Sequence, residues 1–153
     1  MHIVYIDADA CPVKDEVYKV ARRYEMRVLV VTNSSMRVPT DERIELILRS
    51  GFGEVDDWIA EQAGLGDIVI TADIPLAARC LAKETRVLDP RGNALTENDI
   101  GHTLGMRDLF QQLRQDGSVT GGPPPMSPKD RSRFLAKLDE AINAVRRAHP
   151  SKS

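Results

Sequence analysis

Apolar and polar positions alternate in blocks along this chain, and block length and period separate strands from helices. "HIVYI" at residues 2–6 is a short apolar run ending in turn chemistry, which reads as a strand. "RVLVV" at 27–31 reads the same way and ends at Thr32-Asn33-Ser34-Ser35. "RIELILR" at 43–49 alternates Ile44, Leu46 and Leu48 and predicts a third strand, with Ile47 against the pattern. "DIVIT" at 67–71 and "RVLD" at 86–89 supply two more. Between these runs, apolar residues recur at helical spacing. Val13, Val17, Val20 and Ala21 mark one helix, with Pro12 suited to its first turn. Val55, Ile59 and Ala63 mark a second, which stops near Gly64 and Gly66, and Leu76, Cys80 and Leu81 belong to a third.

Strands that alternate with helices imply a mostly parallel sheet covered on both faces, a three-layer α/β/α sandwich. After "PRGN" at 90–93 the alternation stops. Residues 97–114, which contain "MRDLFQQL", predict a helix, and the segment 116–127, with "GSVTGGPPPMS", predicts a loop. Ser127-Pro128-Lys129-Asp130 has a capping serine, a proline next and an acid in the first turn, so a C-terminal helix is expected over about 128–148. Its stripe of Phe134, Leu138, Ala141, Ile142 and Val145 packs back on a core spanning about 1–115. The 153 residues suit a single domain, 1–153.

Composition narrows the class. Hydrophobic content of 42% and charged content of 29% are those of an ordinary soluble protein. No apolar run approaches the ~20 residues of a membrane helix, and the N-terminus lacks the regions of a signal peptide. Two cysteines make no disulfide framework, and with three histidines they make no zinc-ligand spacing, so a reduced cytoplasmic protein is expected. The net charge of −2 is distributed unevenly. Residues 127–153 hold seven Lys/Arg against three Asp/Glu, and residues 1–126 hold fourteen against twenty. An acidic body with a basic tail fits a metal site beside a phosphate-contacting surface around Lys129, Arg131, Arg133 and Lys137; the plainer reading is a solvated helix face.

The chemistry sits at strand ends. In an open parallel sheet, ligands bind beyond the carboxyl ends of the strands. The first strand delivers Asp7 and Asp9 there, and "ITADIP" delivers Asp73 after a later strand. Asp56 and Asp57 open the helix of "EVDDWIAEQA", and Asp89 ends the last strand. Clustered carboxylates repel and are costly to desolvate, and a divalent cation removes both problems. Hard oxygen donors without histidine or thiolate suit Mg²⁺ or Mn²⁺, which can activate water for phosphate-ester hydrolysis. Asp7, Asp9, Asp56 and Asp73 are therefore the candidate catalytic and metal-ligating residues. Asp89 before Pro90 reads as a turn residue, and Asp57 as a helix-start acid.

Several motifs carry a family likeness. "DADACPV" (7–13), "RVP" (37–39), "GDIVITADIPLAA" (66–78), "PRG" (90–92), "MRD" (106–108), "GGP" (121–123) and "DRSRF" (130–134) resemble the YaiI/YqxD family of bacterial proteins along nearly the whole chain. That family looks like a branch of the PIN-like nucleases. The resemblance implies a Rossmann-like sandwich whose acids, at Asp7, Asp9, Asp56 and Asp73, bind Mg²⁺ or Mn²⁺ for phosphodiester cleavage. Nucleic acid is the expected partner, RNA ahead of DNA.

Other residues have two readings. Asn33 and Ser34 after strand two hold a phosphate or form a polar turn. Arg37 clamps a phosphate or is a surface charge. Arg107 and Arg131 reach substrate or pair with acids. Cys11 is a small residue near a helix start, Cys80 is core, and Trp58 packs. Two alternatives to the nuclease stand. One is a haloacid-dehalogenase-like phosphatase with Asp7 as nucleophile and a Thr or Ser after strand two, which "VVTNSS" matches. The other is a non-catalytic protein that binds RNA or a partner on the same fold.

Overall fold

The computed structural model describes residues 2–98, 100 and 126–149. Its strands are β1 (Ile3–Asp7), β2 (Arg27–Thr32), β3 (Ile44–Leu48), β4 (Ile68–Ile70), β5 (Arg86–Leu88) and β6 (Ala94–Leu95). The helices are α1 (Lys14–Arg23), α2 (Glu54–Gln62), α3 (Ile74–Leu81) and α4 (Pro128–Ala148), and a 3-10 turn follows β1 at Ala8–Ala10. The strand order is β3-β2-β1-β4-β5-β6, parallel throughout except for the β5–β6 pair. This is a doubly wound sheet. The chain builds outward from β1 to β3, then crosses through α2 to β4 on the other side of β1. Between β1 and β4 lies the switch point at which such folds place ligands.

Period-2 patterning assigns the faces. Val4, Ile6, Val28, Val30, Ile68, Ile70 and Leu88 point to one side and are covered by α1 and α4. Tyr5, Leu29, Val31, Val69 and Val87 point to the other and are covered by α2 and α3. The sandwich therefore has three layers. Strand β3 accounts for the irregular "RIELILR" pattern: Ile44 and Leu46 pack on the first face, while Ile47 packs against the second. Leu48, expected to share a buried side with Ile44, is 47% exposed at this sheet edge.

Helix α4 begins as its sequence predicts. Ser127 Oγ accepts from the Asp130 N–H at 3.1 Å, Asp130 Oδ2 accepts from the Ser127 N–H at 3.0 Å, and Pro128 needs no donor in the first turn. Its apolar stripe, Phe134, Leu138, Ala141, Ile142 and Val145, is buried against the first face. Arg23 pairs with Asp139, and the Tyr24 hydroxyl donates to Asp139 at 2.7 Å, which locks α4 to α1.

Two expectations are corrected. Pro12 precedes α1 rather than entering its first turn, because the 3-10 turn after β1 delays the helix to Lys14. The alternation does not end the sheet at "PRGN": β6 pairs antiparallel with β5 across that turn. Two residues are too few to show a period. Residues 97, 98 and 100 are helical. The rest of the helix expected over 97–114, with Arg107, and the loop up to residue 125 lie outside the described residues. No helix among the described residues is long and apolar enough to cross a membrane.

Phe134 is fully buried and Phe52 fully exposed. Phe134→Ala should therefore cost about 3–5 kcal/mol in chemical denaturation, whereas Phe52→Ser should stay within about 0.5 kcal/mol of wild type. Equal costs would mean that α4 does not complete the first face.

Candidate functional site

The register of β1 with its two neighbours builds the site. Asp7 pairs with Val31 of β2, and Ile6 pairs with Ile70 of β4, so Thr32 and Thr71 flank the end of β1 from either side. Both threonines are buried. The Thr71 hydroxyl donates to Asp7 Oδ2 at 2.8 Å and accepts from the Asp73 N–H at 3.0 Å. The Thr32 hydroxyl donates to Asp9 Oδ1 at 2.7 Å and accepts from the Ser34 N–H at 3.2 Å. The Asn33 N–H adds a bond to the Asp9 carboxylate at 3.1 Å. Each threonine thus closes a local turn with one lone pair and fixes an aspartate at or just beyond the end of β1 with its proton.

Asp73 caps α3, with Oδ1 accepting from the Leu76 N–H at 2.9 Å. Its capping role is thereby established, and Oδ2 has no hydrogen-bond partner among the described residues. Asp56 stands in the first turn of α2, and its carboxylate likewise has no hydrogen-bond partner there. Asp7, Asp9, Asp56 and Asp73 line one cleft of about 380 Å³, together with Cys11 and Pro90.

Electrostatics distinguishes the acids. Burial pushes the Asp7 carboxyl up to about 6 against the opposing Thr71 hydrogen bond, and the charges of Asp56, Asp73 and Asp9 add to the rise. Burial and Asp73 also raise Asp56, with Arg79 opposing. The four donors are hard oxygens, which suit Mg²⁺ or Mn²⁺. Among the described residues, no three His, Cys, Asp or Glu side chains are grouped so as to hold a metal ion. The aspartates line a common cleft and are not a preassembled coordination shell.

The remaining candidates separate clearly. Asp89 is a turn residue: Oδ1 accepts from the Arg91 and Asn93 N–H groups, each at 2.9 Å. Asp57 pairs with Arg79 at 2.7 Å on the surface. Asn33 and Ser34 are exposed beside Asp9, where their backbone N–H groups form the turn. Arg37 is exposed and has no ion-pair partner among the described residues. Arg131 turns toward α1, where it donates to the Pro12 carbonyl at 2.7 Å and pairs with Glu16 at 3.2 Å. Burial raises the Cys11 thiol to about 11, which keeps it protonated near neutral pH despite its place ahead of a helix. Cys80 is core, and Trp58 packs against Tyr5 with Arg49 over its ring. The sequence reading missed Thr71 as a positioning residue and considered the threonine of "VVTNSS" only as a match to the phosphatase alternative. The signal was a threonine directly after each of two apolar strand runs, in "VVT" and "VIT".

Fold and site together define a doubly wound α/β protein with an acidic cleft at its switch point. Its relatives are specific. The family model described as "Uncharacterized BCR, YaiI/YqxD family" matches residues 5–144. The chain is 52% identical over 147 residues to a UPF0178 protein of Rhodopseudomonas palustris (strain BisB18), covering 95% of each chain. It is 53% identical over 146 residues to one of Azorhizobium caulinodans, covering 95% of this chain and 92% of the relative. A third, UPF0178 protein Rru_A0086 of Rhodospirillum rubrum, is 54% identical over 146 residues, covering 94% and 97%. The chain belongs to the YaiI/YqxD family. No solved structure matches it significantly.

The raised Asp7 carboxyl has a stability consequence of definite sign. The folded protein holds this proton up to about pH 6, whereas the unfolded chain releases it near the ordinary value of 3.8. Asp7 therefore makes the metal-free protein less stable as pH rises from about 4 to about 6, by at most ~3 kcal/mol, and the deficit persists above that window. In chelator, Asp7→Asn should melt higher than wild type at pH 7.5 and match it near pH 4. A variant that melts lower at pH 7.5 would show that the fold favours the ionised carboxylate.

Proposed function

We propose that this protein is a divalent-metal-dependent nuclease of PIN-like type that hydrolyses phosphodiester bonds of nucleic acid, RNA in preference to DNA, in the cleft beyond β1 and β4. The observation that carries the reading is the Asp7 carboxyl, partly buried in a cleft it shares with three further aspartates and pushed up to about 6. A fold that confines four carboxylates at its switch point, with two of them fixed by dedicated threonines, spends stability on an arrangement that only a cation or a proton relieves. Asp7 Oδ1, Asp73 Oδ2 and the Asp56 carboxylate are the atoms suited to hold Mg²⁺ or Mn²⁺, with Asp9 beside them. Such an ion supplies neutralisation of the phosphodiester charge and a water of lowered pKa.

The chain's own residues supply orientation. Thr71 holds Asp7, Thr32 and the Asn33 N–H hold Asp9, and the α3 cap holds Asp73. Side chains fixed before substrate arrives need no reordering during reaction. The motif likeness read from the sequence supports the same four positions. The phosphatase alternative asks Thr32 to bind phosphate. That hydroxyl is buried and already given to Asp9, and the described lining of the cleft includes no lysine. The non-catalytic alternative shares the cleft and differs only in turnover.

The test is incubation of purified protein with structured and unstructured RNA and DNA in Mn²⁺, Mg²⁺ or chelator. Cleavage should require the metal and disappear in Asp7→Asn and Asp9→Asn. Thr71→Val, which removes the hydroxyl that positions Asp7, should lower the rate about 10–100-fold. Cleavage retained by Asp9→Asn would belong to a contaminating enzyme. The wild type should also melt higher with Mn²⁺ than with chelator. Absence of that gain in both Mn²⁺ and Mg²⁺ would sink the metal-site reading.

A further inference from the structure

We infer that the groove between α4 and the β5–β6 edge binds the sugar–phosphate backbone of a single-stranded nucleic acid and leads it to the aspartate cleft, a destination that rests on the nuclease reading. The groove has a volume of about 900 Å³, and its described lining includes Arg86, Arg133, Lys137 and Arg147. Asp89 and Glu140 also line it, so among the described residues four cations stand against two acids and the balance stays positive. The Asp89 carboxylate is taken up by its own turn, with Oδ1 on the Arg91 and Asn93 N–H groups and Oδ2 on the Asn93 side-chain amide. Glu140 pairs with Lys137 at 3.4 Å, but both side chains are largely exposed, and an exposed pair of this kind holds its partner weakly.

The other three cations are open to a ligand. Arg86 and Arg147 have no ion-pair partner among the described residues. There, Arg133 donates only to the Asn93 side-chain oxygen, at 3.0 Å, which leaves most of its fork of N–H donors available. The floor is aliphatic, with Leu88, Leu95 and Ala144, so sugars and base edges meet apolar surface beneath a cationic rim. Apolar surface beside the cations suits the exposed bases of a single strand, which a duplex would keep stacked inside.

Its position singles out nucleic acid from other polyanions. Ala72 lines both the groove and the acidic cleft, and the end of β5 gives Asp89 to the groove and Pro90 to the cleft. The two sites therefore meet at the ends of β4 and β5. A backbone held along the cations would reach the carboxylates without leaving the surface.

The test is fluorescence anisotropy of a labelled oligonucleotide of about 12 nucleotides, as single-stranded RNA and as DNA of the same sequence. The full chain is titrated in chelator, so that binding is read without cleavage. Both oligonucleotides should bind, and affinity should fall with salt. Arg86→Glu combined with Arg147→Glu should weaken binding about tenfold or more and flatten the log–log salt slope by about 0.7 for each phosphate left without its cation. Lys19→Glu, an exposed charge reversal on α1, should change little. Melting curves of each variant confirm the fold. No binding by wild type, an equal effect of Lys19→Glu, or displacement by an equimolar oligoglutamate would each overturn the groove assignment. Cleavage with no groove dependence would overturn the groove alone. Groove binding that survives when metal-dependent cleavage fails would overturn the nuclease reading and the delivery step, and leave a single-strand binding site.

Discussion

Strand β1 is paired on both edges and covered on both faces, and a carboxylate has to be accommodated where it ends. Val4, Tyr5 and Ile6 are buried, so Asp7 emerges from the core with part of its hydration already stripped away. An unpaired carboxylate in that position is unfavourable, and no cation of the chain is placed against it among the described residues. The chain answers with a hydroxyl: Thr71 donates to Asp7 from the neighbouring strand, and Thr32 on the other side does the same for Asp9. A neutral donor positions the acid without cancelling its charge. That choice separates this cleft from a structural ion pair such as Arg23–Asp139, where an arginine sets an opposite charge against the acid. The geometry of the cleft follows from two hydrogen bonds that leave its negative potential intact.

The fold was legible because nearly every element carries its own period. Helix α4 shows both a capping box and an uninterrupted apolar stripe, and its start and face follow from local chemistry alone. The central strands are continuous apolar runs bounded by polar turns, which is how strands buried on two faces appear. Failures fall where local signals are weak. Strand β6 is two residues long and is held by the Asp89 turn rather than by a pattern of its own. Strand β3 lies at an edge and serves both core clusters, so its single-sided pattern breaks at Ile47.

The site was legible as a set of acids and not as a geometry. Aspartates after strands are visible in any sequence, and the sheet-edge rule gathers them. What each carboxylate oxygen touches depends on register, which no local pattern encodes. Hence, among the described residues, Asp73 emerges as a helix cap with one oxygen unbonded, and Asp89 as a turn residue with both oxygens bonded. The positioning role of the two threonines escaped attention because threonine is common in strands. Their role depends on the parallel pairing that brings β2 and β4 against opposite edges of β1.

Among the described cations of the basic C-terminal segment, two groups connect its charge to its place: Arg131 and Arg146 on the α1 side, and a second population above β5 and β6. Arg131 faces α1 and ties the helix to Glu16 and to the Pro12 carbonyl, immediately beyond the first-strand motif. Asp130, already part of the cap, also receives Arg91 from the β5–β6 turn at 3.1 Å. These pairs fix α4 against the elements that bound the cleft. The second population, Arg133, Lys137 and Arg147, lines the opposite flank of the helix above β5 and β6. A solvated helix face would scatter its charges among acids at helical spacing, as Lys137 and Glu140 do. Arg147 has no acid three or four residues before it, and Arg133, three residues after Asp130, makes no ion pair among the described residues because Asp130 is given to Arg91 and the cap. The charge asymmetry along the chain thus becomes an asymmetry across the fold, with negative potential held at the switch point by threonines and positive potential displayed beside it by a helix that other charges hold in place.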